Sequence, residues 1–398
     1  MSAGRGRSGG RAWRDDPAWQ AGFLVGSILG AAATVIGRRA ERYARRGLVD
    51  WPRAEAYAVE RLRTAPGALS AAELRAARPS YEAAMAAVVP RLAAHLETDL
   101  PGVVERFAVV DRAAWVRTNA AAFAELIGRI EGELLDQLIP VGSGLPKAAV
   151  AIAQRFVTTR QIGLLLAFMG QRVLGQYDLA LLSAEAAPGR LLFVEENVRQ
   201  AARALDVPLD PFRTWIALHE VTHAFEFEAH PWLRPYLAER LERQLVLFSR
   251  GASSLGRETL RGLARALSGG GGEHWLEQLM TDEQRRLFRE TQAVMSLLEG
   301  FSDHVMDEVG RGLVPHVEEI SARFHARRER KTPFERAIMR LTGMDLKLEQ
   351  YRRGAAFVRE IDRRGGPAAL RRLWAGPEAL PTSAELDAPE RWLTRVVG

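Results

Sequence analysis

The chain has 398 residues, 47% of them hydrophobic, a net charge of +6 and no cysteine. That length supports one large domain or two or three smaller ones, with ample apolar mass for a core. The lack of cysteine excludes disulfides, thiolate metal sites and a cysteine nucleophile.

Residues 1–48 form a basic N-terminal segment. Within it, residues 1–46 hold nine Arg against three acidic residues, so the rest of the chain is neutral in sum. A nucleic-acid binder usually carries its basic excess on the folded body, so no nucleic-acid partner is expected. Residues 17–37 are a 21-residue run without charge, preceded by Asp15 and Asp16 and followed by Arg38 and Arg39. About 20 apolar residues cross a bilayer as a helix. Gly22, Gly26 and Gly30 would let two such helices approach closely. Arg38, Arg39, Arg42, Arg45 and Arg46 favour keeping the body on the cytoplasmic side. The expected location is therefore cytoplasmic, with membrane association through residues 17–37. Two other readings stay open: a glycine-rich helix packed on the body or a partner, and a signal peptide.

Residues 49–398 form the body, with a helical part over 49–140 and a metal-site part over 141–398. Residues 52–135 alternate Ala, Leu and charge at helical spacing, with breaks expected at Pro66-Gly67, Pro79, Pro101-Gly102 and near Asp111. Residues 140–147 suggest a loop whose glycines lack the spacing of a phosphate loop. Residues 190–194 are the clearest strand. Residues 251–272 end in four glycines and suggest a flexible break. The fold class is mainly α with a small β component.

His219, Glu220, Val221, Thr222 and His223 spell H-E-x-x-H. On a helix, residues four apart share a face, so both imidazoles can reach one metal ion. Glu220 beside them can take a proton from a metal-bound water. Asp210-Pro211 suggests an N-cap followed by proline at the first helical position, and Pro231 ends the helix near Ala229.

A zinc site needs at least three protein ligands. Glu299 is the best third candidate. It lies in an apolar helical run that places Glu299, Asp303 and Asp307 at four-residue steps on one face. A carboxylate there is costly unless paired or metal-bound. Asp303 fits the role of orienting a ligand imidazole. His304 competes as a ligand but points about 100° away from Asp303 around the helix. His230 and His316 adjoin prolines and suggest loops, and His95, His274 and His325 lie in no ligand pattern.

With these motifs in place, the chain resembles the zincin-like metallopeptidases of type 2, some of which carry a deazaflavin-coenzyme biosynthesis label. The resemblance runs from about residue 49 onward. It rests on residues 109–117, 175–178, 191–194, 215–234, 294–307 and 350–354. It implies a zincin-like metallopeptidase fold around the H-E-x-x-H helix, with His219 and His223 as zinc ligands, Glu220 as catalytic base and Glu299 as third ligand. A carboxylate ligand after H-E-x-x-H is also how the gluzincin peptidases complete their site. The family supplies no substrate, and nothing in the sequence suggests a deazaflavin site.

The expected activity is Zn2+-dependent hydrolysis of a peptide or protein substrate. Tyr351 and His304 are the candidates for steadying the oxyanion or lining the cleft. Two rivals remain at this point: a non-catalytic zincin-fold binding protein, and a metal-dependent hydrolase of a small-molecule amide.

Overall fold

The computed structural model describes residues 47–99, 102–103, 105–138, 145–177, 190–252, 280–329 and 346–398. Residues 17–37, and all but the first two residues of the break at 251–272, lie outside this set. Among the described residues, no helix is long and apolar enough to cross a membrane.

Helices dominate. In chain order they are α1 (Trp51–Arg63), α2 (Ala71–Leu96), α3 (Arg112–Leu138), α4 (Leu145–Gly170), α5 (Glu195–Leu205), α6 (Leu209–Glu228), α7 (Leu233–Ala252), α8 (Asp282–Gly310), α9 (Val317–Glu329) and α10 (Leu346–Arg372). Short turns of helix then close the C-terminal end. Three short strands, β1 (Phe107–Val110), β2 (Gly175–Tyr177) and β3 (Leu191–Val194), form one sheet in the order β1-β3-β2.

β3 is the expected strand, but it occupies the centre of the sheet. It pairs in parallel with β1 and antiparallel with β2. All four of its residues are buried, because the sheet is covered on both faces. Leu191 and Phe193 join the larger core with Tyr81, Phe212 and Val221. Leu192 and Val194 face the opposite way and join Trp115, Val116 and Leu166. That alternation follows from the two-residue period of a strand.

Four expectations need correction. Residues 52–135 are not purely helical, since 107–110 form β1. Pro79 breaks nothing: α2 runs through both Pro79 and Pro90. Each proline removes a backbone N–H and costs roughly 3 kcal/mol in a helix interior. The buried face of Ala77, Tyr81, Ala84, Met85, Val88 and Leu92 offsets that cost. Of the loop expected over 140–147, residues 145–147 belong instead to α4, which has Pro146 in its first turn, where a missing N–H costs nothing, and residues 140–144 lie outside the described set. Finally, α6 begins at Leu209 rather than after Asp210. Asp210 instead pairs with Arg213 at 2.7 Å.

Candidate metal centre

α6 carries the H-E-x-x-H motif through the core, and α8 crosses it. α8 starts at Asp282, where Thr281 and Gln284 satisfy each other's backbone N–H groups. The crossing brings Glu299 of α8 to His219 and His223 of α6. These residues are the one group among the described residues able to hold a metal ion, with donor atoms within 4.8 Å of one another.

The two Nε2 atoms face each other at 3.2 Å, and Glu299 Oε2 lies 3.8 Å and 3.9 Å from them. The circle through these three atoms has a radius of about 2.1 Å, which matches the roughly 2.0–2.2 Å of zinc–imidazole and zinc–carboxylate bonds. The residues therefore fit an N,N,O-ligated metal ion. Side-chain exposures of 20%, 15% and 14% leave the three ligands partly accessible.

The opposite nitrogen of each ring is held from behind. His223 Nδ1 lies 2.7 Å from Glu226 Oε2. A carboxylate only accepts, so Nδ1 carries a hydrogen and Nε2 is the nitrogen that would bind a metal. His219 Nδ1 meets Ser302 Oγ at 3.0 Å and Met306 Sδ at 3.3 Å. Glu226 Oε1 is buried and has no hydrogen-bond partner among the described residues. Burial pushes the Glu226 carboxyl up to about 7. Burial also opposes charge on His223, but Glu226, Glu299 and Glu220 outweigh it and raise that ring's pKa.

Glu220 points to the sheet edge. Its Oε2 accepts the main-chain N–H of Tyr177 at 2.9 Å. Gly175 lies against the same side chain, so closely that a Cβ there would sit 2.6 Å from Glu220 Cγ. This contact explains why β2 starts with glycine. Burial raises the Glu220 carboxyl to about 7, against the lowering effects of His223 and the Tyr177 N–H.

This architecture has relatives. The family model described as zincin-like metallopeptidase matches residues 49–393. The chain belongs to that family. A solved structure of a candidate hydrolase with a novel fold from Chloroflexus aurantiacus is similar, at 34% identity and a TM-score of 0.64. The similarity covers 87% of this chain and 98% of that one. No curated protein matches. The zincin-like family and this neighbour support a hydrolase of metallopeptidase type, and the family implies a metal ion.

The remaining expected residues are placed as follows. Asp303 is half-buried on α8, one turn beyond Glu299. His304 is buried and directed elsewhere, with Nε2 3.6 Å from Asp362 Oδ2 on α10. Burial lowers its pKa against the pull of Asp362. Tyr351 lies on α10, and its side chain is outside the described residues. Glu226 was missed, although an acid three residues after His223 sits on the same helical face and was a readable signal. Tyr177, Gly175 and Ser302 lie in blocks that carry the family resemblance, but no local pattern gave them a role, because chain segments distant in sequence bring them to the site.

Proposed function

We propose that this protein is a zinc-dependent metallopeptidase in which His219, His223 and Glu299 hold the ion and Glu220 is the general base. The convergence of two imidazole Nε2 atoms and a carboxylate beside a buried, strand-held Glu220 supports this reading. Bound there, zinc would lower the pKa of its water to near neutrality and polarise the substrate carbonyl.

The chain's own residues do the rest. Glu220 accepts the proton of the attacking water and returns it to the leaving nitrogen. Burial favours the protonated form of this carboxyl, which helps it to take up that proton. Glu226 keeps His223 in the tautomer whose Nε2 lone pair faces the ion. Ser302 and Met306 fix the ring of His219 from the α8 side. A peptide or protein substrate is favoured over a small amide because the family that the chain matches is one of metallopeptidases.

The test is metal analysis with a peptide-library digest of wild type and Glu220→Gln. About one zinc per chain in both proteins, with cleavage only by the wild type, is the expected result. Absence of metal from both, or an unchanged rate in Glu220→Gln, would overturn the proposal.

A further inference from the structure

Strand β2 has only three residues, and so short an edge strand has few ladder bonds to hold it. It is nonetheless fastened on both faces by side chains. On one face, Gln176 accepts from Trp115 Nε1 at 2.6 Å and donates to Asn119 Oδ1 at 3.1 Å. On the other, the Tyr177 hydroxyl donates to Glu228 Oε1 at 2.7 Å and accepts from Arg234 at 3.0 Å. Arg106, just before β1, grips both oxygens of Glu228 at 2.7 Å. The Tyr177 ring also stacks on Phe227, with centroids 6.0 Å apart.

Tyr177 is thus tied to α6 twice. Its main-chain N–H reaches Glu220, and its hydroxyl reaches Glu228. Those two carboxylates are eight residues apart on one helix, or about 12 Å along its axis. The ends of the tie are therefore the proposed general base and a carboxylate five residues beyond His223.

We propose that Tyr177 and Glu228 are positioning residues: their side-chain bond locks the edge strand against α6, so that the Tyr177 N–H holds the Glu220 carboxylate in its proton-transfer orientation. Without the lock, the short strand frays from α6 and the N–H leaves Glu220. The carboxylate can then turn about its side-chain torsions, and base geometry degrades while the metal ligands stay in place. The kinetic part of this proposal rests on the metallopeptidase reading, but the structural part does not.

The experiment uses the full chain loaded with zinc, as wild type, Tyr177→Phe and Glu228→Gln. Hydrogen–deuterium exchange is followed at the Tyr177 amide, and kcat and KM are measured on a peptide that the wild type cleaves. The expected result in both variants is exchange at this amide faster by about tenfold, without loss of protection elsewhere. Alongside it, kcat falls roughly tenfold and KM stays within about twofold. Zinc content and Tm stay at wild-type values.

Unchanged exchange at Tyr177 overturns the proposal. Faster exchange with unchanged kcat also overturns it, as does a loss of kcat that only parallels a loss of zinc or Tm. Arg106→Lys loosens Glu228 without altering Tyr177 or α6. It gives an intermediate effect if the lock is real and none if it is not. Should the wild type cleave no peptide, the metallopeptidase reading fails, and amide exchange alone decides whether the lock exists.

Discussion

Gly300 and Gly354 stand backbone to backbone where α8 crosses α10. A Cβ at Gly300 would collide with the carbonyl carbon of Gly354, and a Cβ at Gly354 would collide with the carbonyl oxygen of Ser296. Gly300 directly follows Glu299, so this close crossing fixes the height of the third ligand above α6. Gly354→Ala must push the helices apart. Overpacking of this kind costs roughly 1–3 kcal/mol. The expected outcome is a lower Tm together with weaker zinc binding, measured by thermal melts and chelator competition. Unchanged zinc affinity would show that Glu299 does not depend on the crossing.

Glu226→Gln tests the carboxylate behind His223. An amide can still accept the Nδ1 hydrogen, but it supplies no negative charge to strengthen the ligand. Loss of such a partner typically weakens metal affinity about 10–100-fold. Zinc titration against a competing chelator checks this, with protein fold followed by circular dichroism.

Gly175→Ala tests the packing of the base. The added Cβ would fall 2.6 Å from Glu220 Cγ and 2.7 Å from its Oε1, so one of them must move. None of the three metal ligands is touched. Bound zinc should stay at the wild-type level while kcat on a cleaved peptide falls by roughly tenfold or more. Full activity in this variant would argue that Glu220 is not held where the proposed mechanism needs it.

His230 makes stability depend on pH. Its ring stacks on Trp374 at 5.0 Å, and burial lowers its pKa from 6.5 to about 4. The unfolded chain therefore takes up a proton in a window where the folded chain does not. Stability falls as pH drops from about 6.5 to about 4, and this residue contributes nothing above that window. The ring is only half-buried, so the loss is about 1–2 kcal/mol after allowance for solvent screening. In His230→Phe the loss of Tm between pH 7 and pH 4 should be smaller than in wild type. An identical pH profile would assign the acid sensitivity to other groups.

The legible parts of the site are those governed by one helical period. His219 and His223 share a face at four-residue spacing, and Glu299 betrayed itself as an acid in an apolar run. β3 was legible because four consecutive apolar residues of β-prone type mark a strand covered on both sides. β1 and β2 were not, since strands of four and three residues leave too short a pattern. Pro79 misled because its local cost is real and only the packing of α2 against α6 outweighs it. The bonds from Tyr177 to Glu220 and Glu228 span 43 and 51 residues, and no local rule reports them.

The parallel pairing of β1 with β3 has a consequence for how the chain can be divided. β3 is wholly apolar and lies in the middle of its sheet only because residues 107–110 cover one side of it. A fragment that begins after Val110 would keep every metal ligand but leave the edge of β3 bare. Bare apolar edges recruit strands from other molecules. Such a fragment should aggregate instead of yielding a smaller soluble enzyme, which makes the helical N-terminal part a solubility element for the metal centre.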